Sequence, residues 1–210
     1  MLFRSELELG DYESAKADFD KAISMDPKNY DRLIEIYEAL ADYGYREVGQ
    51  EYLQNVLNTD KKLDTYDSGR IYYYLGDYQK AYLALEEAKG KGGVDSYLYL
   101  GKAYAATGDY NYASSVYSNY LSKQGPDAEI YNQLGLCELA KKDYQKALEA
   151  FQAGKQIEGN SLMQTLSFNE IVAYEYLQDY QKAAVLLKAY LQNYPDDQAA
   201  IREQQFLSTR

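Results

Sequence analysis

Tyr66, Arg70 and Tyr73 follow one another at the i, i+4, i+7 spacing that puts three side chains on one face of a helix. The chemistry such a stripe offers is recognition, because Tyr and Arg are the residue types most enriched at binding hot spots. Tyr74 extends it, in the run Ile71-Tyr72-Tyr73-Tyr74. The plainer reading is that tyrosine serves as this chain's general apolar residue: 26 of the 210 residues are Tyr and none is Trp.

No comparable set of residues points to catalysis. The chain has no histidine. That excludes histidine general acid–base chemistry, Ser-His-Asp and Cys-His nucleophiles, and histidine metal ligands. The single cysteine, Cys137, cannot form an intrachain disulfide and reads as a buried structural thiol. Gly90-Lys-Gly-Gly93 lacks the spacing of a phosphate-binding loop and reads as a flexible turn. No metal-ligand spacing stands out, so no metal and no cofactor is expected. The carboxylates are expected on solvent faces, often beside Lys.

Net charge is −11. Residues 1–60 hold 14 acids and 6 bases, a net of −8, and the rest of the chain is nearer balance. An acidic surface repels phosphate backbones and anionic lipid, so neither nucleic acid nor a membrane surface is an expected partner. No apolar run approaches the roughly 20 residues of a membrane span.

The elements that position these residues follow from a second spacing. Tyr12, Tyr45, Tyr78, Tyr110, Tyr144 and Tyr180 stand 33, 33, 32, 34 and 36 residues apart, and all but Tyr45 follow an Asp. Such a period marks one supersecondary unit repeated along an array. Its best copies are Gly10-Asp-Tyr-Glu-Ser-Ala15, Gly76-Asp-Tyr-Gln-Lys-Ala81 and Gly108-Asp-Tyr-Asn-Tyr-Ala113. Gly can end one helix in the left-handed conformation, and Asp can cap the next. Helical faces follow, such as Ala81, Leu85 and Ala88, or Ala147, Phe151 and Gly154. The preceding helices repeat a glycine at one register (Gly69, Gly101, Gly135). A mid-helix Gly costs roughly 1 kcal/mol against Ala, so its recurrence implies close helix contact. Pro27, Pro126 and Pro195 stop the second helices.

With Gly101, Tyr104, Tyr110, Ala113, Tyr117, Tyr120 and Gly125 in register, and Ala15, Phe19, Ala22 and Pro27 repeating part of the pattern, the chain resembles the tetratricopeptide repeat family. The resemblance implies an all-α fold: a right-handed superhelical solenoid of antiparallel helix hairpins, with about five and a half repeats and a C-terminal capping helix. The repeats fall at about residues 1–27 (partial), 28–59, 61–92, 94–125, 127–159 and 161–195, with the cap over 196–208. Two copies depart from the pattern. Around Tyr45 the Asp and Ala are missing, and Gly49, Leu53 and Val56 would supply the face after a one-residue slip. Ile171 replaces the usual Gly, which would hold its two helices further apart.

In that family the first helices of the hairpins line a concave groove. The positions that do so correspond here to Tyr66, Arg70, Tyr73 and Tyr74, then Leu98 and Lys102, then Asn132 and Leu136, then Phe168. Arg70 and Lys102 hold one register in adjacent repeats, so two cations near an Asn could grip a carboxylate. The family's carboxylate clamp is absent: its Lys and Asn positions carry Tyr66 and Arg70, or Leu98 and Lys102. The expected function is a non-enzymatic protein-interaction scaffold for a peptide or partner helix. The alternative is an accessory segment of a larger enzyme, regulator or surface-anchored lipoprotein, since Met1 falls within a first-repeat helix. Localisation would then be cytoplasmic, or extracytoplasmic if a signal or lipid anchor precedes that helix.

Overall fold

The structure is a computed structural model and describes residues 2–209. Among them are thirteen helices and no strand. They divide into two compact units, one ending at Gly92 and one beginning at Gly93.

The first unit holds α1 (Leu2–Glu8), α2 (Tyr12–Met25), α3 (Tyr30–Asp42), α4 (Arg46–Thr59), α5 (Thr65–Tyr74) and α6 (Tyr78–Glu87). Sequence neighbours pack as pairs, and α3 also touches α5 directly. The second unit holds α7 (Val94–Ala106), α8 (Tyr110–Lys123), α9 (Ala128–Ala140), α10 (Tyr144–Lys155), α11 (Met163–Tyr176), α12 (Tyr180–Asn193) and α13 (Gln198–Leu207). Here too α7 touches α9, beyond the sequential pairs. First helices of neighbouring hairpins therefore lie side by side within each unit.

The Asp-Tyr pairs fold as their chemistry requires. Asp11, Asp77, Asp109, Asp143 and Asp179 are N-caps, each accepting a backbone N–H three residues on. This satisfies a donor that the first helical turn leaves without an intrahelical partner. The tyrosines that follow open α2, α6, α8, α10 and α12. Tyr45 is the exception. It occupies the cap position itself, after left-handed Gly44, and makes no side-chain cap bond. Its register is thus that of the aspartates, one residue out of step with the other tyrosines, and Gly49 and Leu53 take the buried places expected after that one-residue slip.

The recurrent glycines are contact points. A β-carbon on Gly69 would come 2.6 Å from Leu85, and one on Gly101 would come 2.2 Å from Tyr117. The unit around Tyr45 exchanges the two partners. Tyr37 stands at the glycine register, and Gly49 on the facing helix makes room, 2.9 Å from the ring if a β-carbon were added. At the last hairpin Ile171 and Leu187 fill the same layer, both essentially inaccessible to solvent.

Two carboxylates depart from the solvent faces expected of them. Glu138 and Glu170 are buried. Each is paired: Lys141 lies 2.8 Å from Glu138, and Lys155 lies 2.6 Å from Glu170. Gln152 adds a donor to Glu170 at 2.9 Å, tying α10 to α11. A buried carboxylate persists only with such partners. Cys137 is buried among Leu98, Tyr117 and Ile130. Burial pushes its thiol up to about 12, and Glu138 adds to the effect, so it is inert as a nucleophile.

Candidate functional site

In the first unit the side chains with recognition chemistry gather where α5 meets α3. Asn29 caps α3 by accepting from Arg32 N–H at 3.0 Å, and Asp64 caps α5 by accepting from Asp67 N–H at 2.9 Å. Gly76, with φ of +80°, terminates α5 just after the Tyr73–Tyr74 pair.

Arg70 is only 6% exposed. Its guanidinium donates to Asp31 at 2.5 Å and to Asp67 at 3.4 Å, and sits 5.0 Å from the Tyr66 ring centre. Asp67 is itself enclosed. Burial raises its carboxyl to about 6, with Asp64 adding repulsion and Arg70 opposing. The Tyr66 ring lies across Gly92, where a β-carbon would come within 2.4 Å.

Tyr73 and Tyr74 are half-buried and meet edge to face at 5.4 Å. Tyr74 also meets Tyr37 edge to face at 5.3 Å, and Tyr73 meets Tyr78 at 5.7 Å. These geometries let ring edges meet ring faces, as aromatic quadrupoles favour. Tyr74 Oη donates to Glu38 Oε1 at 2.6 Å. Arg46 donates to Tyr37 Oη at 3.2 Å, and Arg4 pairs with Asp42 at 3.5 Å. Together these side chains wall an open depression of about 380 Å³.

In the second unit the expected groove residues separate into two kinds. Leu98 and Asn132 are buried. Leu98 belongs to the core, and its carbonyl accepts from Tyr117 Oη at 3.4 Å. Asn132 Oδ1 accepts from Asn169 Nδ2 at 2.8 Å, joining α9 to α11. Phe168 packs on Tyr190 at 5.6 Å. Lys102 and Leu136 reach solvent. Lys102 is 3.5 Å from Glu129 and 6.0 Å from the Tyr99 ring centre, and Leu136 is 39% exposed.

Both cations expected to grip a carboxylate thus already face carboxylates of the chain. Of the wall residues, Glu38 and Asp42 stand 32 residues before Arg70 and Tyr74, so the repeat register already places them on the matching face of the preceding first helix. Tyr37 is signalled only by its break of the glycine register, and Arg46 by nothing local. No group of three or more His, Cys, Asp or Glu side chains suited to a metal ion occurs among the described residues. No described helix is long and apolar enough to cross a membrane.

Helix pairs capped by Asp, closed by Gly–aromatic contacts and stacked through their first helices define a helical-hairpin repeat protein. Three tetratricopeptide repeat models match the sequence, over residues 5–29, 98–161 and 168–197. The chain belongs to the tetratricopeptide repeat family. Among curated proteins, none matches it by sequence. It is similar in fold to three solved proteins. YrrB, a TPR protein with an unusual peptide-binding site, is 21% identical with a TM-score of 0.58, over 89% of this chain and 97% of that one. TTC0263, a thermophilic TPR protein of Thermus thermophilus, is 15% identical with a TM-score of 0.66, over 86% and 100%. PilW, a type IV pilus biogenesis factor, is 16% identical with a TM-score of 0.66, over 98% and 94%. The fold is one of protein–protein interaction scaffolds, generally without catalytic activity.

Proposed function

We propose that the protein is a non-catalytic scaffold that holds an extended peptide or a partner helix along its first helices. The observation that carries this reading is the tyrosine-walled depression between α3 and α5. Half-buried, mutually braced tyrosines offer large contact area at little entropic cost. In the second unit, taken by itself, Lys102 and Leu136 reach solvent and offer a separate contact surface. Arg70, Leu98 and Asn132 act behind them, holding the helices that present the surface. Helix α13, packed on α12, serves as the cap of the array. The peptide-binding site of YrrB lends the reading support by analogy.

The test is to select peptides from a displayed random library on the full chain, then measure their affinity by fluorescence anisotropy. Tyr73→Ala should weaken peptides held by the first unit, and Leu136→Ala those held by the second, each about tenfold, the scale of one modest hot spot. Leu83→Ala is the control, because Leu83 is 60% exposed on the second helix α6. Binding that ignores Tyr73 and Leu136 but depends on Leu83 would overturn the assignment.

A further inference from the structure

The depression between α3 and α5 also carries information about what enters it. Helix α3 presents Asp31, Glu35, Glu38 and Asp42 at i, i+4, i+7 and i+11, so four carboxylates run along one face. The two at the ends are neutralised within the fold, Asp31 by Arg70 and Asp42 by Arg4. The two in the middle face no cation within ion-pair distance among the described residues. Glu38 is the one that lines the depression. The hydroxyl of Tyr74 holds one of its oxygens at 2.6 Å, which fixes the carboxylate and leaves the other oxygen to accept. The adjoining walls are the rings of Tyr73 and Tyr74. Aromatic faces attract cations and tolerate an alkyl stem. The rim also carries two arginines: Arg4 is paired with Asp42, while Arg46 donates to the neutral Tyr37 hydroxyl and keeps its charge, so an incoming cation must approach Glu38 from the Tyr73–Tyr74 side.

We infer that this depression accepts a lysine or arginine side chain of the partner, with its cationic head on Glu38 and its stem across Tyr73 and Tyr74. The inference rests on the scaffold reading above and names the chemistry of its ligand. An acidic or phosphorylated group placed across Tyr73 and Tyr74 would meet Glu38 at close range, and like charges at an interface are unfavourable. The acidic first 60 residues, net −8, steer a basic segment toward the same unit.

The same displayed library, selected on the full chain, separates the two claims. Enriched peptides should share a Lys or Arg. Replacing it by norleucine or Ala should weaken binding about tenfold, the scale of a charge-assisted bond. Glu38→Gln should cost the same, and the two changes together should cost little more than either alone. Affinity should also fall as NaCl rises from about 50 to 300 mM. Enriched peptides without a cation, or full affinity in Glu38→Gln with loss in Tyr73→Ala, would overturn this inference and leave the scaffold reading standing. Full affinity in Tyr73→Ala would overturn this inference, and full affinity in both Tyr73→Ala and Leu136→Ala, or no enrichment at all, would overturn both.

Discussion

The ring of Phe151 occupies the space that a β-carbon on Gly135 would need: the added carbon would lie 2.3 Å from Cε1. Helices α9 and α10 are held at that separation by a missing side chain. Alanine is the better helix former by about 1 kcal/mol, so an exposed Gly→Ala change would stabilise. At this contact overpacking prevails, and Gly135→Ala should destabilise by about 1–3 kcal/mol. Urea unfolding followed by circular dichroism would show it as a lower midpoint. Adding Phe151→Leu should restore part of the loss, since in the last hairpin a residue with a β-carbon, Ile171, stands at the same register with Leu187 in its layer. A stabilised Gly135→Ala protein would contradict the close contact.

The turns before the second helices make a prediction of opposite sign. Gly10, Gly76 and Gly108 take positive φ, and at the same place in two later hairpins stand Lys142 (φ 64°) and Gln178 (φ 63°). A residue with a β-carbon pays roughly 1 kcal/mol or more in that conformation. Lys142→Gly and Gln178→Gly should each raise stability by about 1 kcal/mol, somewhat offset by the freer unfolded chain. Thermal melts of the single and double variants check this. Gly76→Ala, which imposes the same strain where it is now absent, should move the melt the other way.

These two cases show which features are legible in the sequence. Caps, left-handed turns and Gly–aromatic layers depend on residues a few positions apart or one hairpin apart, so their spacing exposes them. Even the error at Tyr45 is local: its period assigns it to the first helical turn, whereas its position after Gly44 makes it the cap. The site is legible only in part. Tyr73 and Tyr74 announce themselves as extra aromatics. Nothing near Arg70 reveals that Asp31, 39 residues earlier, takes up its charge. Nothing near Asn132 reveals Asn169, 37 residues later. Pairings at that range depend on how neighbouring hairpins settle, and helical periodicity does not encode them.

Arg70 calls for a variant of its own for that reason. Its side chain is 8% exposed, while that of its partner Asp31 is 78% exposed. Removing one member of a fully buried pair costs about 3–5 kcal/mol, and the open side of this one lowers the figure to about 2 kcal/mol for Arg70→Ala. The guanidinium also opposes the burial that raises Asp67. Its loss should push that carboxyl above its present value of about 6, measurable by carbon-detected NMR titration. An unchanged Asp67 titration in a folded Arg70→Ala protein would show that the guanidinium does not act on it.

The last prediction concerns pH and the terminal helix. Glu175 on α11 has a buried Oε1 that accepts no hydrogen bond while both carboxyls are ionised, and the Glu203 carboxyl of α13 lies within hydrogen-bonding reach. Burial first, and Glu203 second, raise Glu175 from 4.5 to about 7. Undocking α13 would return it toward the ordinary value, so the docked state holds its proton more tightly. The contact is therefore firmest below pH 4.5, weakens as pH rises from there to about 7, and is level above that. Partial solvent screening reduces the full linkage, leaving about 1–2 kcal/mol across this window. Glu175→Gln keeps a donor for Glu203 without the charge. It should make docking independent of pH over that range and firmer than in the parent chain above pH 7. Amide hydrogen exchange in Gln198–Leu207, corrected for intrinsic rates, reads the docking directly. If α13 in the parent chain is equally protected at acid and neutral pH, the two carboxyls do not share a proton. Protection that still falls with pH in Glu175→Gln would place the titrating group elsewhere.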